Sequence, residues 1–141
     1  MEKSMSEAFG FTPENVKSYS PLALAYIGDS VHTLYIRTRI MAAGDKKVNE
    51  LHKICSRFVK AKAQSDAIHA LLPILTEEEE AVYKRGRNAK SYTTAKNADV
   101  TTYRHATGFE ALIGYLYLCK NNEQLNFLLD RSYEIIKTEE K

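Results

Sequence analysis

The sequence is poor in residues that interrupt helices, with only six glycines and three prolines among its 141 residues. Because 44% of the chain is hydrophobic, this shortage favours a globular helical protein over a disordered one. No apolar run approaches the roughly 18 residues of a membrane span, and the N-terminus lacks the features of a secretory leader. We therefore expect a cytoplasmic protein.

Cysteine is also scarce, and several reactive-site patterns are missing. Cys55 and Cys119 lie far apart without CxxC spacing, which predicts two buried thiols with no chemical role. No glycine-framed nucleophile motif is present, so covalent catalysis has no support in the sequence. The spacing of a zinc site is missing from all four histidines, which are His32, His52, His69 and His105.

Length and net charge set further limits. A chain of 141 residues suffices for one domain with a sizeable core and leaves no room for a second module. The formal net charge of +2 is too small to indicate a polyanionic partner by itself. Any such partner must be argued from the distribution of the charges.

Hydrophobic periodicity and capping residues predict an all-α fold. Residues 1–19 form a polar lead-in with at most a short helical turn, and Ser20 with Pro21 marks the start of the first long helix. The segment from Val48 to Leu72 fits either one helix or two, and Thr76 with Glu79 forms a capping box for the next. The predicted long helices cover about 21–41, 48–72, the stretch after 76, 99–120 and 123–137. The stripe expected to face the core in the first of them consists of Leu24, Ile27, Val31 and Leu34.

Two acidic residues stand alone inside apolar helical stretches, which predicts that both carboxylates are buried. Asp29 lies in LALAYIGDSVHTLYI and Glu110 in TGFEALIGYLYL. A carboxylate in apolar surroundings is costly unless a hydrogen bond, a basic partner or a bound cation compensates it. Nearby glycines (Gly28, Gly108 and Gly114) allow close backbone approach, which favours one shared divalent-metal site over two separately satisfied side chains.

The positive charge is concentrated in a segment without acidic residues. From Ala81 to Ala98 the chain interleaves basic side chains with tyrosines, and Gly86 followed by a polar run predicts a helix that breaks into a loop. This segment is either a solvated surface or a phosphate-binding one. Its candidate phosphate-contacting residues are Lys84, Arg85, Arg87, Asn88, Lys90 and Lys96.

Three separated motifs resemble one known family. LALAYIGDSV is similar to the signature helix of the ribonuclease III catalytic domain, and TGFEALIGYLYL is similar to its second acidic helix. With KRGRNAKSYTTAKNADVTTYR between them, residues 20–120 resemble the short bacterial form of that family, which has no double-stranded-RNA-binding domain. The implied organisation is a lead-in (1–19), a catalytic domain (20–137) and a solvated tail (138–141).

The resemblance carries expectations about activity. It implies a homodimeric, all-helical, Mg²⁺-dependent endonuclease that cuts double-stranded RNA and leaves 5′-phosphates. By the same resemblance, Asp29 is the principal catalytic metal ligand and Glu110 the second. The implied substrate is precursor 23S ribosomal RNA cut at both ends, with a large-subunit ribosomal protein as a helper. RNA contact then falls to the basic segment, through phosphates and 2′-hydroxyls of an A-form minor groove.

The sequence also departs from the longer members of the family. Leu22 and Ala25 stand where those enzymes carry glutamates, and Thr107 stands where they carry an aspartate. Because there are fewer carboxylates, two possibilities stay open. Either two Mg²⁺ ions bind, or a single Mg²⁺ ion binds and is held largely through water molecules. The same loss motivates an alternative function, a noncatalytic RNA-binding or ribosome-assembly module with a degenerate metal site.

Overall fold

The computed structural model describes residues 5–90 and 99–139 and is helical almost throughout. No β-strand occurs in these residues, so the predicted all-α class is confirmed. The helices are α1 (Met5–Ala8), α2 (Pro13–Val16), α3 (Pro21–Ala42), α4 (Val48–Val59), α5 (Ala61–Leu71), α6 (Glu77–Asn88), α7 (Val100–Leu118) and α8 (Asn122–Glu139), with a 3-10 turn at Leu72–Ile74.

Local capping fixes the beginnings of the long helices, as the sequence predicts. The Ser20 hydroxyl accepts a hydrogen bond from the Ala23 amide at 3.1 Å, and Pro21 is the first residue of α3. At α6 the Thr76 hydroxyl and the Glu79 carboxylate each accept from the other residue's backbone amide, which forms the predicted capping box. Asp99 accepts from the Thr102 amide at 2.8 Å and so begins α7.

The segment 48–72 forms two helices rather than one. Lys60 adopts an extended backbone conformation (ψ 155°), which ends α4 and starts α5. In the N-terminal lead-in, α1 and α2 are single turns, and Val16 is fully buried in the core.

Helix α7 is the centre of the packing, because α3, α5, α6 and α8 all contact it. Its apolar residues Phe109, Leu112 and Ile113 are fully buried. A second, smaller core lies at the other end of α3, where Ile36 and Ile40 pack with α4, α5 and α8. The site described below therefore rests on the most extensively packed helix.

Three expectations from the sequence are wrong in detail. Leu34 is 60% exposed, because the inner face of α3 continues through His32 and Ile36 instead. Cys119 is half-buried, whereas Cys55 is buried as predicted. Gly86 does not break α6, because the helix continues to Asn88 and the glycine lies in a helix contact.

Among the residues that the structure describes, no helix combines the length and the apolar character needed to cross a bilayer.

Candidate active site

Helices α3 and α7 touch backbone to backbone at two glycines. A Cβ atom on Gly28 would lie 1.8 Å from the carbonyl oxygen of Glu110, and one on Gly114 would lie 2.0 Å from that of Leu24. Neither space admits a side chain, so only glycine permits this crossing. The contact places Asp29, the residue after Gly28, beside Glu110.

The two carboxylates that the sequence singles out are thus brought together. Glu110 is half-buried, and its pKa is raised to about 8 by burial first, and then by a hydrogen bond and charge repulsion from Asp29. The smaller part of this rise, which comes from the neighbouring carboxylate, marks a pair that does not readily hold two negative charges without a cation. Asp29 itself is exposed, so the expectation that it is buried is wrong: it lies beside the face of α3 that meets α7.

Helix α5 adds a polar group that the sequence analysis missed. Gln64 is 2% exposed, and its amide nitrogen lies 3.4 Å from Glu110 Oε2 and 3.0 Å from His32 Nδ1. Its hydrogen bond lowers the pKa of Glu110, in opposition to the larger effects of burial and Asp29. The sequence did contain a signal for Gln64. It is a lone amide side chain among the apolar positions of α5 at helical spacing, just as Asp29 is a lone acid among the apolar positions of α3.

His32 lies in the core beside this group. The imidazole is fully buried and meets the Phe109 ring edge-on, with 5.0 Å between ring centroids. Burial lowers its pKa to about 4, against the weaker opposing charge of Asp29. His32 is therefore neutral at physiological pH.

A further polar cluster begins at Ser65, the residue after Gln64 on α5. Ser65 Oγ is 3.3 Å from His105 Nδ1, and His69 Nδ1 donates to the Ser65 carbonyl oxygen at 2.7 Å. The two imidazole rings meet at a centroid distance of 4.4 Å. The pKa of His105 is lowered by burial and then by the charges of His69 and Arg87.

The basic segment lies on α6, which packs against α7 through a second glycine pair. A Cβ on Gly108 would lie 2.6 Å from the Tyr83 ring, and one on Gly86 would lie 2.8 Å from the Ala111 Cβ. Its exposed members are Lys84, Arg85, Asn88 and Lys90, and Arg87 is half-buried against Tyr83. Lys84 pairs with Glu80 at 3.0 Å. Lys96 lies outside the described residues.

Three positions that depart from the longer family members have no ligand role here. Ala25 is buried in the core, and Leu22 is 38% exposed. Thr107 is buried, and its hydroxyl donates to the Tyr103 carbonyl oxygen at 3.0 Å within its own helix. Within residues 5–90 and 99–139, no group of three or more His, Cys, Asp or Glu side chains is placed to hold a metal ion. Asp29 and Glu110 are thus a pair of hard oxygen donors without a larger acidic cluster.

Comparison with known proteins identifies the family of the chain. The Ribonuclease III domain family matches residues 22–121. The chain is 49% identical to "Mini-ribonuclease 3" of Thermoanaerobacter sp. (strain X514), over 97% of this chain and 99% of that protein. It is 53% identical to "Mini-ribonuclease 3" of Enterococcus faecalis (strain ATCC 700802 / V583), over 81% of this chain and 88% of that protein.

A solved structure shows the same fold. The crystal structure of protein FN1578 from Fusobacterium nucleatum superposes with a TM-score of 0.77 at 32% identity, covering 89% of this chain and 98% of that one. Helical fold, family match and paired carboxylates together define an endoribonuclease that acts on double-stranded RNA. The chain belongs to the ribonuclease III family, among the relatives called Mini-ribonuclease 3. The noncatalytic alternative is not supported, because members of this family are endoribonucleases.

Proposed function

We propose that Asp29 and Glu110 form the catalytic centre and hold Mg²⁺ for the hydrolysis of double-stranded RNA. The observation that carries this proposal is the glycine-mediated crossing of α3 and α7, which brings two carboxylates together on rigid helices. Members of the ribonuclease III family generally depend on a divalent metal.

The donor set fits magnesium. Mg²⁺ prefers hard oxygen ligands, keeps several waters and binds through one or two carboxylates together with substrate phosphates. When bound, the ion supplies Lewis-acid polarisation of the phosphodiester and a water acidic enough to act as the nucleophile. The contribution of the chain is to fix the two carboxylates: Glu110 by the helix contact and by Gln64, and Asp29 by its place next to Gly28. Hydrolysis that breaks the bond between phosphorus and the 3′ oxygen releases a 3′-hydroxyl and leaves a 5′-phosphate.

The test is cleavage of an end-labelled RNA duplex with Mg²⁺ or with chelator. Asp29→Asn and Glu110→Gln keep the size of each side chain and remove its charge, so we expect cleavage to fall by about 100-fold or more while duplex binding survives. Asp45→Asn, at an exposed position between α3 and α4, is the matched control and should cut normally. Full cleavage by Asp29→Asn would contradict the assignment.

The RNA interface that we propose is the basic segment Lys84, Arg85, Arg87, Asn88, Lys90 and Lys96. Four of these residues are exposed, and α6 contacts α7 at Gly108, two residues before Glu110. Cations on a helix adjoining the carboxylates are suited to neutralise phosphates near the scissile bond. Shape and 2′-hydroxyl contacts, rather than base identity, are then expected to select A-form RNA.

Charge reversal tests this interface. Four neutralised phosphates give log affinity a slope against log salt of roughly −3 to −4. Lys84→Glu combined with Arg85→Glu should weaken duplex binding and reduce that slope by about two. Lys17→Glu with Lys47→Glu makes the same change in charge at exposed positions outside the segment and is the control. Equal duplex affinity in the two double variants would exclude the proposed interface.

The substrate that we propose is the stem of precursor 23S ribosomal RNA, cut at both ends in the cytoplasm, with a large-subunit ribosomal protein as helper. The relatives named Mini-ribonuclease 3 support the assignment by family membership. Mapping the ends of a precursor transcript after digestion, with and without large-subunit proteins, tests it. A transcript whose stem is disrupted by mismatches is the control and should remain intact.

We also propose that the protein acts as a homodimer, each protomer cutting one strand. On α3, Tyr26 is 81% exposed and Leu34 is 60% exposed, and an apolar groove runs from Leu34 to Tyr117 and Leu125. Exposed apolar surface of this kind is typical of an interface. Sedimentation should give twice the mass of the 16.0 kDa chain. Leu34→Lys should shift the protein towards monomer.

A further inference from the structure

Gln64 is a buried amide whose placement needs an explanation. It is 2% exposed on α5, a helix whose neighbouring inner positions, Ala63, Ala67 and Ile68, are buried and apolar. Burying an amide without hydrogen bonds costs on the order of 1–3 kcal/mol by mutational measures. The amide nitrogen has two hydrogens, and two acceptors lie within reach of it.

Those acceptors belong to two other helices. His32 Nδ1 of α3 is 3.0 Å from Gln64 Nε2, and Glu110 Oε2 of α7 is 3.4 Å from the same nitrogen. When Mg²⁺ is bound, the Glu110 carboxylate is ionised and only accepts hydrogen bonds, so the amide must then present its nitrogen, and not its oxygen, to Glu110. Gln64 thus connects the proposed second metal ligand to the core.

His32 determines which way the amide faces. An imidazole that accepts at Nδ1 carries its proton on Nε2, so His32 favours the amide orientation that directs nitrogen towards Glu110. The opposite tautomer would attract the amide oxygen and turn it towards the carboxylate. Within residues 5–90 and 99–139, His32 Nε2 is the buried side-chain nitrogen or oxygen atom with no hydrogen-bond partner. An orphaned buried N–H costs on the order of 1–3 kcal/mol, so stability alone does not explain a histidine here.

We infer that Gln64 is a positioning residue that holds the Glu110 carboxylate in place, and that His32 orients Gln64 through its Nδ1 atom. The inference rests on the proposed role of Glu110 and extends it to two residues that never touch the substrate. Partners behind a metal ligand commonly change metal affinity or activity by about 10- to 100-fold when removed. We expect removal of the Gln64 amide to change the Mg²⁺ affinity or the activity by the same factor.

The first test removes the donor and keeps the shape. Gln64→Met is expected to need about 10-fold or more Mg²⁺ for half-maximal cleavage, with an unchanged KM for the duplex and a fold retained by circular dichroism. Ser132→Ala alters another fully buried polar residue, on α8, and should leave the Mg²⁺ requirement unchanged. Equal Mg²⁺ requirements for Gln64→Met and wild type would overturn the inference, while loss of cleavage in Asp29→Asn would still support the proposed function.

The second test separates positioning from stability at position 32. His32→Leu fills the core and removes the orphaned N–H but leaves one Gln64 N–H without its acceptor, so its stability should stay close to that of wild type while it needs more Mg²⁺. His32→Asn leaves a small cavity but retains an acceptor near the Nδ1 position, so it should be less stable and yet recover most of the lost activity. Activity that follows stability across the two variants would refute the inference.

A readout that does not depend on activity comes from the metal-free protein at a pH above the Glu110 pKa of about 8, where this carboxyl is ionised. Imidazole ¹⁵N shifts should show His32 protonated on Nε2 in wild type and in Ser132→Ala. Protonation on Nδ1 would direct the amide oxygen towards Glu110 and would overturn the role assigned to His32.

Discussion

Acid should destabilise this protein through His32. The pKa of the buried imidazole is lowered to about 4 from an ordinary value of 6.5. Between these values the unfolded chain binds a proton that the folded chain does not, so the stability that His32 contributes falls as the pH falls. From about pH 7.5 to about pH 5 the two values correspond to a loss of about 2 kcal/mol in the free energy of unfolding.

Glu110 titrates in the opposite direction and must be removed from the comparison. Its pKa is raised to about 8, so the folded chain keeps a proton that the unfolded chain has already released above pH 4.5, and its contribution grows as the pH falls. The measurement is therefore urea unfolding at the two pH values in chelator, with Glu110→Gln as the parent protein and Glu110→Gln with His32→Leu as the test.

We expect the parent to lose about 2 kcal/mol more than the double variant on acidification. His52→Gln replaces a histidine at an exposed position of α4 and is the control, which should follow the parent. Identical pH dependence in the parent and the His32→Leu protein would refute the reasoning, since it would mean that His32 takes up its proton in the folded state as readily as in the unfolded chain.

Three further predictions concern the crossing, the metal and a helix cap. Gly28→Ala places a Cβ 1.8 Å from the Glu110 carbonyl oxygen, so we expect it to lose about 3 kcal/mol or more by denaturant unfolding, whereas the exposed Ser30→Ala should lose little; equal stabilities would contradict the contact. Mg²⁺ at about 100 times its dissociation constant should raise the melting temperature by about 5–10 °C in wild type but not in Asp29→Asn, and an equal rise would place the ion elsewhere. Thr76→Ala removes one half of the α6 capping box and should cost about 1 kcal/mol by the same unfolding assay; an unchanged midpoint would show that the cap contributes nothing.

The sequence predicts best those features that depend on neighbouring residues. Helix starts at Pro21, Glu77 and Val100 follow from caps that act within one turn, and each was predicted to within a residue. The face that a helix turns inward depends on what packs against it. Leu34 continues the apolar spacing of α3, yet it is 60% exposed, because the helix passes from one core cluster to the other and turns His32 and Ile36 inward.

The candidate site was predictable in part for the same reason. Asp29 and Glu110 stand out as single acids in apolar helices, and the glycines beside them indicate close approach. Gln64 is as unusual in α5, but its meaning depends on where α5 lies against α3 and α7, which no local pattern gives. The burial predicted for Asp29 failed because apolar neighbours in sequence do not surround a side chain at the edge of a helix contact.

Packing also explains why the proposed centre has so few acids. At position 25 a glutamate would enter the buried core, where Ala25 now lies, and at position 107 the side chain is enclosed and bonded to its own helix. The third helix to reach Glu110 contributes the neutral amide of Gln64 instead of a charge. A third carboxylate there would add repulsion to a group whose pKa is already raised to about 8 by burial and then by Asp29. An amide instead donates to Glu110 without adding charge, which suits the proposed role of Asp29 and Glu110 as a pair that ionises when Mg²⁺ binds.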